Sequence, residues 1–344
     1  MQWVVGRRRN AALAGGVARA LAPLLRRHFA HVGPGAPPAR LGGEEEDSEE
    51  GGGAAPRPVM VREGADTFTI PASGRRSLGL TSLTIRTRPR HDALGLALAL
   101  FDPATAADSL ELVASLPAGL HSTVLVAGRP APVRALGGHV ADGGSRDVAE
   151  LAGPVSTAKA RCGGSGGAAW PVAVLAAADQ AGVWHDLIAG GPLGALLAAD
   201  PAAARALIYV KVNTDGWGAP SSAGGGRGIT ASVALPPHAG ADLGPVVRLV
   251  DALLSTADAL AAYRPPPEAA AKAAKLRAEA GERAARREAA AVPAEDAAAG
   301  RRAARAAAEA EKLARMAPDA REKVLARKKR IEERRALAKR TKRL

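Results

Sequence analysis

The chain changes character at Tyr263. No aromatic residue follows it, and large apolar side chains thin to a scatter that includes Leu276, Val292, Leu313 and Ile331. Such a segment cannot supply a core, so the buried structure of the 344-residue chain must come from what precedes it. Charge divides at the same place. Residues 264–344 carry 24 Lys/Arg and 12 Asp/Glu, a net of +12 out of +13 for the whole chain, and the rest is nearly neutral. A neutral body is therefore joined to a basic arm, and the arm should meet something polyanionic. Nucleic acid, the ribosome and an acidic membrane surface all fit that description.

The body reads as α+β, with antiparallel sheets and packed helices. Residues 1–32 form an amphipathic segment. From Asn10 to His31, Leu13, Val17, Leu21, Leu24, Leu25 and Phe29 recur at helical spacing, with Arg19, Arg26 and Arg27 opposite. The helix either docks on the body or lies along a membrane surface. Pro23 should kink or restart it. Residues 33–66, rich in Gly and Pro with the acidic run Glu44–Glu50, read as a disordered linker.

Two α+β subdomains are expected next, at 67–160 and 161–262. In the first, Leu78 to Ile85 reads as a strand with a bulge near Thr81-Ser82. Pro89-Arg90-His91-Asp92 should lead into a helix with Leu94, Leu96, Leu98, Leu100 and Phe101, closed by Asp102-Pro103. Strands at Ser109–Ser115 and Ser122–Ala127 and a helix over Pro132–Val140 should follow. In the second, Val172–Trp184 and Leu187–Leu197 read as helices. Leu207–Val212 and Ile229–Leu235 form a strand pair, and Leu243–Leu260 closes the body as an amphipathic helix.

Arg264-Pro265-Pro266-Pro267 breaks the chain before the arm, residues 263–344. Interior Pro and Gly divide the arm into helical pieces near 268–291, 295–316 and 319–343. Its apolar residues do not sustain a heptad, so helices ordered by a partner are expected.

Chemistry for catalysis is thin, and a non-enzyme is expected. The histidines are scattered, with no H-E-x-x-H pair. His91-Asp92 and His185-Asp186 are adjacent dipeptides, whose side chains do not face each other on a helix. The glycine-rich stretch Ser222–Gly228 lacks the Lys-Ser/Thr of a phosphate loop. The single cysteine, Cys162, excludes an internal disulfide and leaves too few thiolates for zinc. No metal site or cofactor is expected.

Binding chemistry is richer. Arg327, Lys328, Lys329, Arg330, Arg334, Arg335, Lys339, Arg340, Lys342 and Arg343 recur every few residues on a helical segment. They can lay positive charge along a phosphate backbone, with affinity gained by counterion release. No aromatics are interleaved, which disfavours base stacking and favours shape and charge recognition of structured RNA.

Met1–Arg9 places apolar residues before basic ones, the reverse of a signal peptide. It reads instead as the end of a membrane span followed by a positive cytoplasmic flank, so a span is expected upstream.

Taken in order, several stretches resemble the coiled-coil domain-containing protein 47 family, also called calumin or the coiled-coil subunit of the PAT complex. They are Gly6–Asn10, Leu24–Gly33, Ala72–Arg76, Arg90–Leu94, Val124–Gly128 with Arg134–Leu136, Leu249–Asp251, Pro267–Arg277 and Ala285–Ala290, then Glu311-Lys312 and Pro318-Asp319 before the basic end. The resemblance implies an endoplasmic-reticulum membrane protein whose body and arm face the cytosol. Implied partners are the ribosome and its RNA, translocon components, a small membrane protein of the PAT complex and nascent multipass membrane proteins. It also implies a link to calcium handling, through a lumenal region that this chain does not contain. The alternative reading is a soluble RNA-binding or nucleolar protein with a basic tail.

Overall fold

Period-two alternation builds the sheet. In β3 (Thr67–Ser73), Phe68, Ile70 and Ala72 are buried, while Thr67, Thr69 and Pro71 face the other way and are half-buried. The same alternation runs through β4 (Thr81–Arg86), β5 (Ser109–Ser115) and β10 (Gly228–Ala234). A computed structural model describes residues 2–34, 59–90, 92, 107–138, 145–156, 162, 168–171, 174–216, 226–238, 240–287 and 330. Residues 1–278 form one compact unit and residues 279–344 a second.

One antiparallel sheet runs through the body. Its remaining strands are β1 (His31–Val32), β2 (Val61–Arg62), β6 (Val124–Gly128), β7 (Gly153–Pro154), β8 (Leu175–Ala178) and β9 (Leu207–Asn213). The order is β1-β3-β4-β5-β10-β9-β6-β8-β7, with β2 also on β3. The two expected subdomains therefore share a single sheet. β5 pairs with β10 from Ser115↔Gly228 to Ser109↔Ala234, and β6 sits between β9 and β8. Either half alone would leave the edges of buried strands unpaired, which is costly for backbone amides.

Helices cover the apolar face. α1 (Gln2–His28) buries Val17, Leu21 and Leu25 there, with Phe29 just beyond its end, and runs through Pro23 as a single helix. α7 (Gly244–Ala262) buries Val246, Leu249, Val250, Leu253, Leu254 and Leu260. Between β6 and β9 lie α2 (Pro130–Leu136), α3 (Arg146–Leu151), α4 (Ala181–Val183), a π-turn (Trp184–Ala189), α5 (Pro192–Ala199) and α6 (Pro201–Ala206). Aromatic residues are scarce, and the fully buried Trp184 meets Trp170 edge-on at 5.0 Å. α8, residues 267–287, starts at the last of the three prolines, the helical position that proline tolerates best.

Several expectations are corrected. Order resumes at residue 59 rather than 67, because β2 pairs with β3 through Val61↔Thr69 and Arg62↔Phe68. The strand expected from Leu78 begins only at Thr81 and has no bulge; its register with β3 and β5 is continuous. Leu78 belongs to the preceding turn and Leu80 is 65% exposed. Gly79 packs so tightly on Ser115 that a Cβ would sit 2.5 Å from its Oγ. The helix expected over Val172–Trp184 is instead β8 followed by α4, since pairing with β6 overrides the helix-favouring alanines. The helix expected after Pro89–Asp92 lies outside the described residues, as do the second arm piece, the third apart from Arg330, and residues 35–58 of the linker.

Gly128 ends β6, paired with Tyr209 of β9. A Cβ there would lie 2.3 Å from the Ile208 carbonyl oxygen and 2.5 Å from the Tyr209 Cα. Both obstacles are backbone, so they cannot swing aside. Gly128→Ala is expected to destabilise the body by about 3 kcal/mol, read as a lower urea midpoint with an unchanged slope.

Candidate functional site

The described structure holds a set of polar clasps. Two of them fix α1 on the body, and a third holds the helix that begins the arm.

The first clasp centres on Asn10, which is fully buried. Its amide nitrogen donates to the Arg88 carbonyl at 3.0 Å, and its oxygen accepts from Arg90 Nη1 at 3.0 Å. Arg90 in turn grips Asp108 with both nitrogens, at 2.8 and 2.6 Å. Asp108 also accepts the Arg88 amide proton at 2.8 Å. The chain entering β5 is thereby tied to the first third of α1.

The second clasp lies at the other end of α1. Arg75 Nη1 donates to His28 Nδ1 at 2.5 Å. An arginine can only donate, so Nδ1 accepts and the imidazole proton sits on Nε2, which donates to Asp251 Oδ1 at 2.8 Å. Arg75 and Ser77 also both donate to Asp258. Burial pushes the Asp258 carboxyl up, but hydrogen bonds from Arg75 and Ser77 and the nearby positive charge hold it below its ordinary value. Asp251 and Asp258 lie two turns apart on α7, so this clasp joins α1, the turn before β4 and α7.

The third clasp holds α8 at its midpoint, Arg277. Arg277 Nη2 donates to Asp179 Oδ2 at 2.8 Å and its Nε donates to Asp215 Oδ2 at 2.5 Å. The Asp179 side chain is fully buried, and its other oxygen accepts from Thr123 Oγ1 at 3.0 Å. Thr214, beside Asp215, ties the strand ends together by accepting the Thr123 amide proton at 2.7 Å and donating to the His121 carbonyl at 2.6 Å. His121 meets Gln180 at 3.0 Å, and burial lowers its pKa. Just upstream, the Tyr263 hydroxyl donates to Asp186 Oδ2 at 2.8 Å. Burial and that carboxylate push the phenol up to about 12.

Of the ten basic residues expected to contact RNA, only Arg330 lies within the described residues, where it is helical and exposed. The other nine lie outside them. Cys162 is buried, and burial raises its thiol pKa, so the described thiol is not an activated nucleophile. Asp186 of the His185-Asp186 dipeptide receives Tyr263, while the His185 ring lies 4.8 Å from that of Trp184. Among the described residues, no three His, Cys, Asp or Glu side chains are grouped to hold a metal ion.

A serine and a lysine do approach each other, since Lys211 Nζ donates to Ser145 Oγ at 2.6 Å. Lys211 also contacts Asp147 Oδ2 at 2.8 Å. The Ser145 hydroxyl donates in turn to Asp147, so the three side chains form an ion pair bridged by a hydroxyl. Sequence reasoning missed all four clusters, since their members lie far apart in the chain. The signal available was the resemblance itself, which had singled out Asn10, His28, Arg75, Arg90 and Arg277.

Arg277→Met leaves the buried Asp179 carboxylate without the arginine that it pairs with, and about 3 kcal/mol of body stability is expected to go with it. Limited proteolysis should then cut the chain faster around residues 267–278. Arg277→Lys should restore little, because one ammonium cannot span two carboxylates as a guanidinium does.

Asp147 gives a pH prediction. Burial pushes its carboxyl up, but hydrogen bonds from Lys211, Ser145 and Asn213 and the lysine charge outweigh it, leaving a value below the ordinary one. A carboxyl depressed on folding stabilises the body above the unfolded value of about 3.9, and that contribution is lost as pH falls through the folded value. Asp147→Asn should therefore lower stability at neutral pH and flatten the acid limb of the stability curve, measured by thermal unfolding across pH.

A family model described as PAT complex subunit CCDC47 matches residues 1–130 and 197–335. Asn10, His28, Arg75, Arg90, Asp108 and Arg277 all fall within the matched residues, whereas Asp179 falls between them. No curated protein matches the chain.

Proposed function

The chain belongs to the PAT complex subunit CCDC47 family, and on that premise we propose that it is a non-enzymatic factor of membrane-protein biogenesis at the cytosolic face of the endoplasmic reticulum. In this reading the body meets the other PAT-complex partners and translocon components, and the basic arm meets the RNA of a translating ribosome. The client would be a nascent multipass membrane protein. The family's link to calcium handling is carried with this proposal, without residues assigned to it.

The observation that supports the ribosome contact is the charge split. Almost all of the net charge lies beyond Tyr263, in a segment without aromatics. Electrostatic binding of that kind is independent of base sequence and depends steeply on salt. The Arg277 clasp adds a reason for the body to matter, since an arm with a fixed root loses less conformational freedom when it docks.

No described helix is long and apolar enough to cross a membrane. Membrane attachment in this reading comes from the family and from the apolar-then-basic start of α1.

The test is ribosome co-sedimentation across a salt series. Changing Lys328, Arg330, Arg334 and Arg335 to glutamine is expected to weaken low-salt binding by at least about tenfold and to flatten the salt dependence. A chain ending at Pro318 that binds as tightly as the full chain would rule out the arm. Fractionation of the native protein with endoplasmic-reticulum membranes checks the location.

A further inference from the structure

α1 has two faces, and only one is accounted for by the body. Leu13, Val17, Leu21 and Leu25 point inward and are buried. On the outer face Arg8, Arg9, Arg19, Arg26 and Arg27 are exposed, and none of them pairs with a carboxylate among the described residues. The helix contains no acidic residue at all. Arg8, Arg19 and Arg26 fall close to whole numbers of turns apart, so they stack in one line about 27 Å long at 1.5 Å per residue. Alanine, glycine and proline fill the spaces between them. Arg19 lies over Gly15, with a nitrogen 3.6 Å from where a Cβ would stand.

The line ends in an apolar tip. Val4 and Val5, one turn before Arg8 and Arg9, are 44% and 47% exposed, and Trp3 beside them is 54% exposed. The Arg7 guanidinium stacks on the Trp3 ring at 4.3 Å, which lets the cation cover the indole without burying its charge. Half of the exposed large apolar side chains among the described residues lie in these three consecutive positions.

A nucleic-acid backbone would satisfy the arginines but would leave the valines against water or phosphate. An anionic bilayer surface satisfies both. Guanidinium groups reach lipid phosphates, while short apolar side chains and a tryptophan settle at the boundary between headgroups and acyl chains. We propose that the outer face of α1 is a docking surface for anionic lipid, with the helix lying along the membrane, Val4 and Val5 entering the headgroup layer, and Arg8, Arg19 and Arg26 on phosphates. The proposal rests on the membrane location argued above and specifies what the body itself recognises there. Two polar clasps on the opposite side, at Asn10 and His28, hold this face rigid over most of its length.

The test uses the full chain with Lys328, Arg330, Arg334 and Arg335 changed to glutamine, so that the arm's own attraction to lipid is reduced. That protein is floated with phosphatidylcholine vesicles, with or without added phosphatidylserine. Binding is expected to require phosphatidylserine. Adding Arg8→Gln, Arg19→Gln and Arg26→Gln should weaken it on the order of a hundredfold, with an unchanged circular dichroism spectrum because all three side chains are exposed. Val4→Ser with Val5→Ser should weaken it as well. Unweakened flotation of the triple-arginine variant would overturn the proposal. The three arginine changes placed alone in the native chain are expected to leave ribosome co-sedimentation intact; its loss would assign the face to RNA instead, and would equally overturn it. Neither result bears on the arm, whose role is read separately from the Pro318 truncation.

Discussion

The pairing of β5 with β10 is the contact on which the rest of the body depends. It joins a strand near residue 110 to one near residue 230 along seven residue pairs, with no break in register. Gly228 opens the pairing because the strands approach closely there: a Cβ would stand 2.7 Å from the Ala114 carbonyl oxygen. Through this ladder the N-terminal strands and the C-terminal strands present one continuous apolar face. α1 and α7, far apart in sequence, can then share it. A sheet split at this point would leave each helix half a surface, too small to repay the entropy of ordering it.

Once the helices share that face, their polar groups must be disposed of, and the clasps do this. Asn10, Asp108 and the Asp179 side chain are almost wholly removed from water, where an unpaired polar group would be costly. Each is satisfied by an arginine that reaches two or more partners. Ion pairs of this kind add little net stability over apolar packing, but removing one member is expensive, so they favour a single arrangement. What they fix is direction: the path of α1 across the sheet, the turn before β4, and α8 at its midpoint. Tyr263, hydrogen-bonded to Asp186, sets the departure of the chain just before the prolines that end α7.

Much of this was legible in the sequence. Ser109–Ser115 was readable as a strand although Val113 interrupts its alternation, and α7 was readable through its helical apolar stripe. The apolar side of α1 was equally clear, although sequence could not decide between a body and a membrane as its cover. The failures share a cause. β8 is nearly all alanine and is a strand only because β6 lies beside it. Leu78 and Leu80 look like strand residues until the packing of Gly79 on Ser115 is known. The single sheet was missed because a glycine-rich stretch at 161–167 resembles a domain boundary, whereas the pairings that bridge it are set by tertiary contacts. The clasps were least visible, since Arg277 and Asp179 are separated by 98 positions and nothing local marks either as a partner.

Arginine content illustrates the same limit and then resolves it. The chain is rich in Arg, Ala, Gly and Pro, and composition alone cannot separate an arginine with a structural task from one supplied by codon usage. Burial separates them. Arg75, Arg90 and Arg277 have side chains 9–17% exposed, each set against at least one carboxylate. The exposed arginines on the outer face of α1 have no such partner among the described residues. Charge neutralised inside the body contributes nothing to long-range attraction, whereas unpaired charge on a rigid helix projects its field into solvent over roughly a Debye length, about 8 Å at physiological salt. The body's near-zero net charge therefore conceals an uneven surface. Its buried acids are consumed by the clasps, and α1, without an acidic residue of its own, faces outward as a positive strip on a nearly neutral domain.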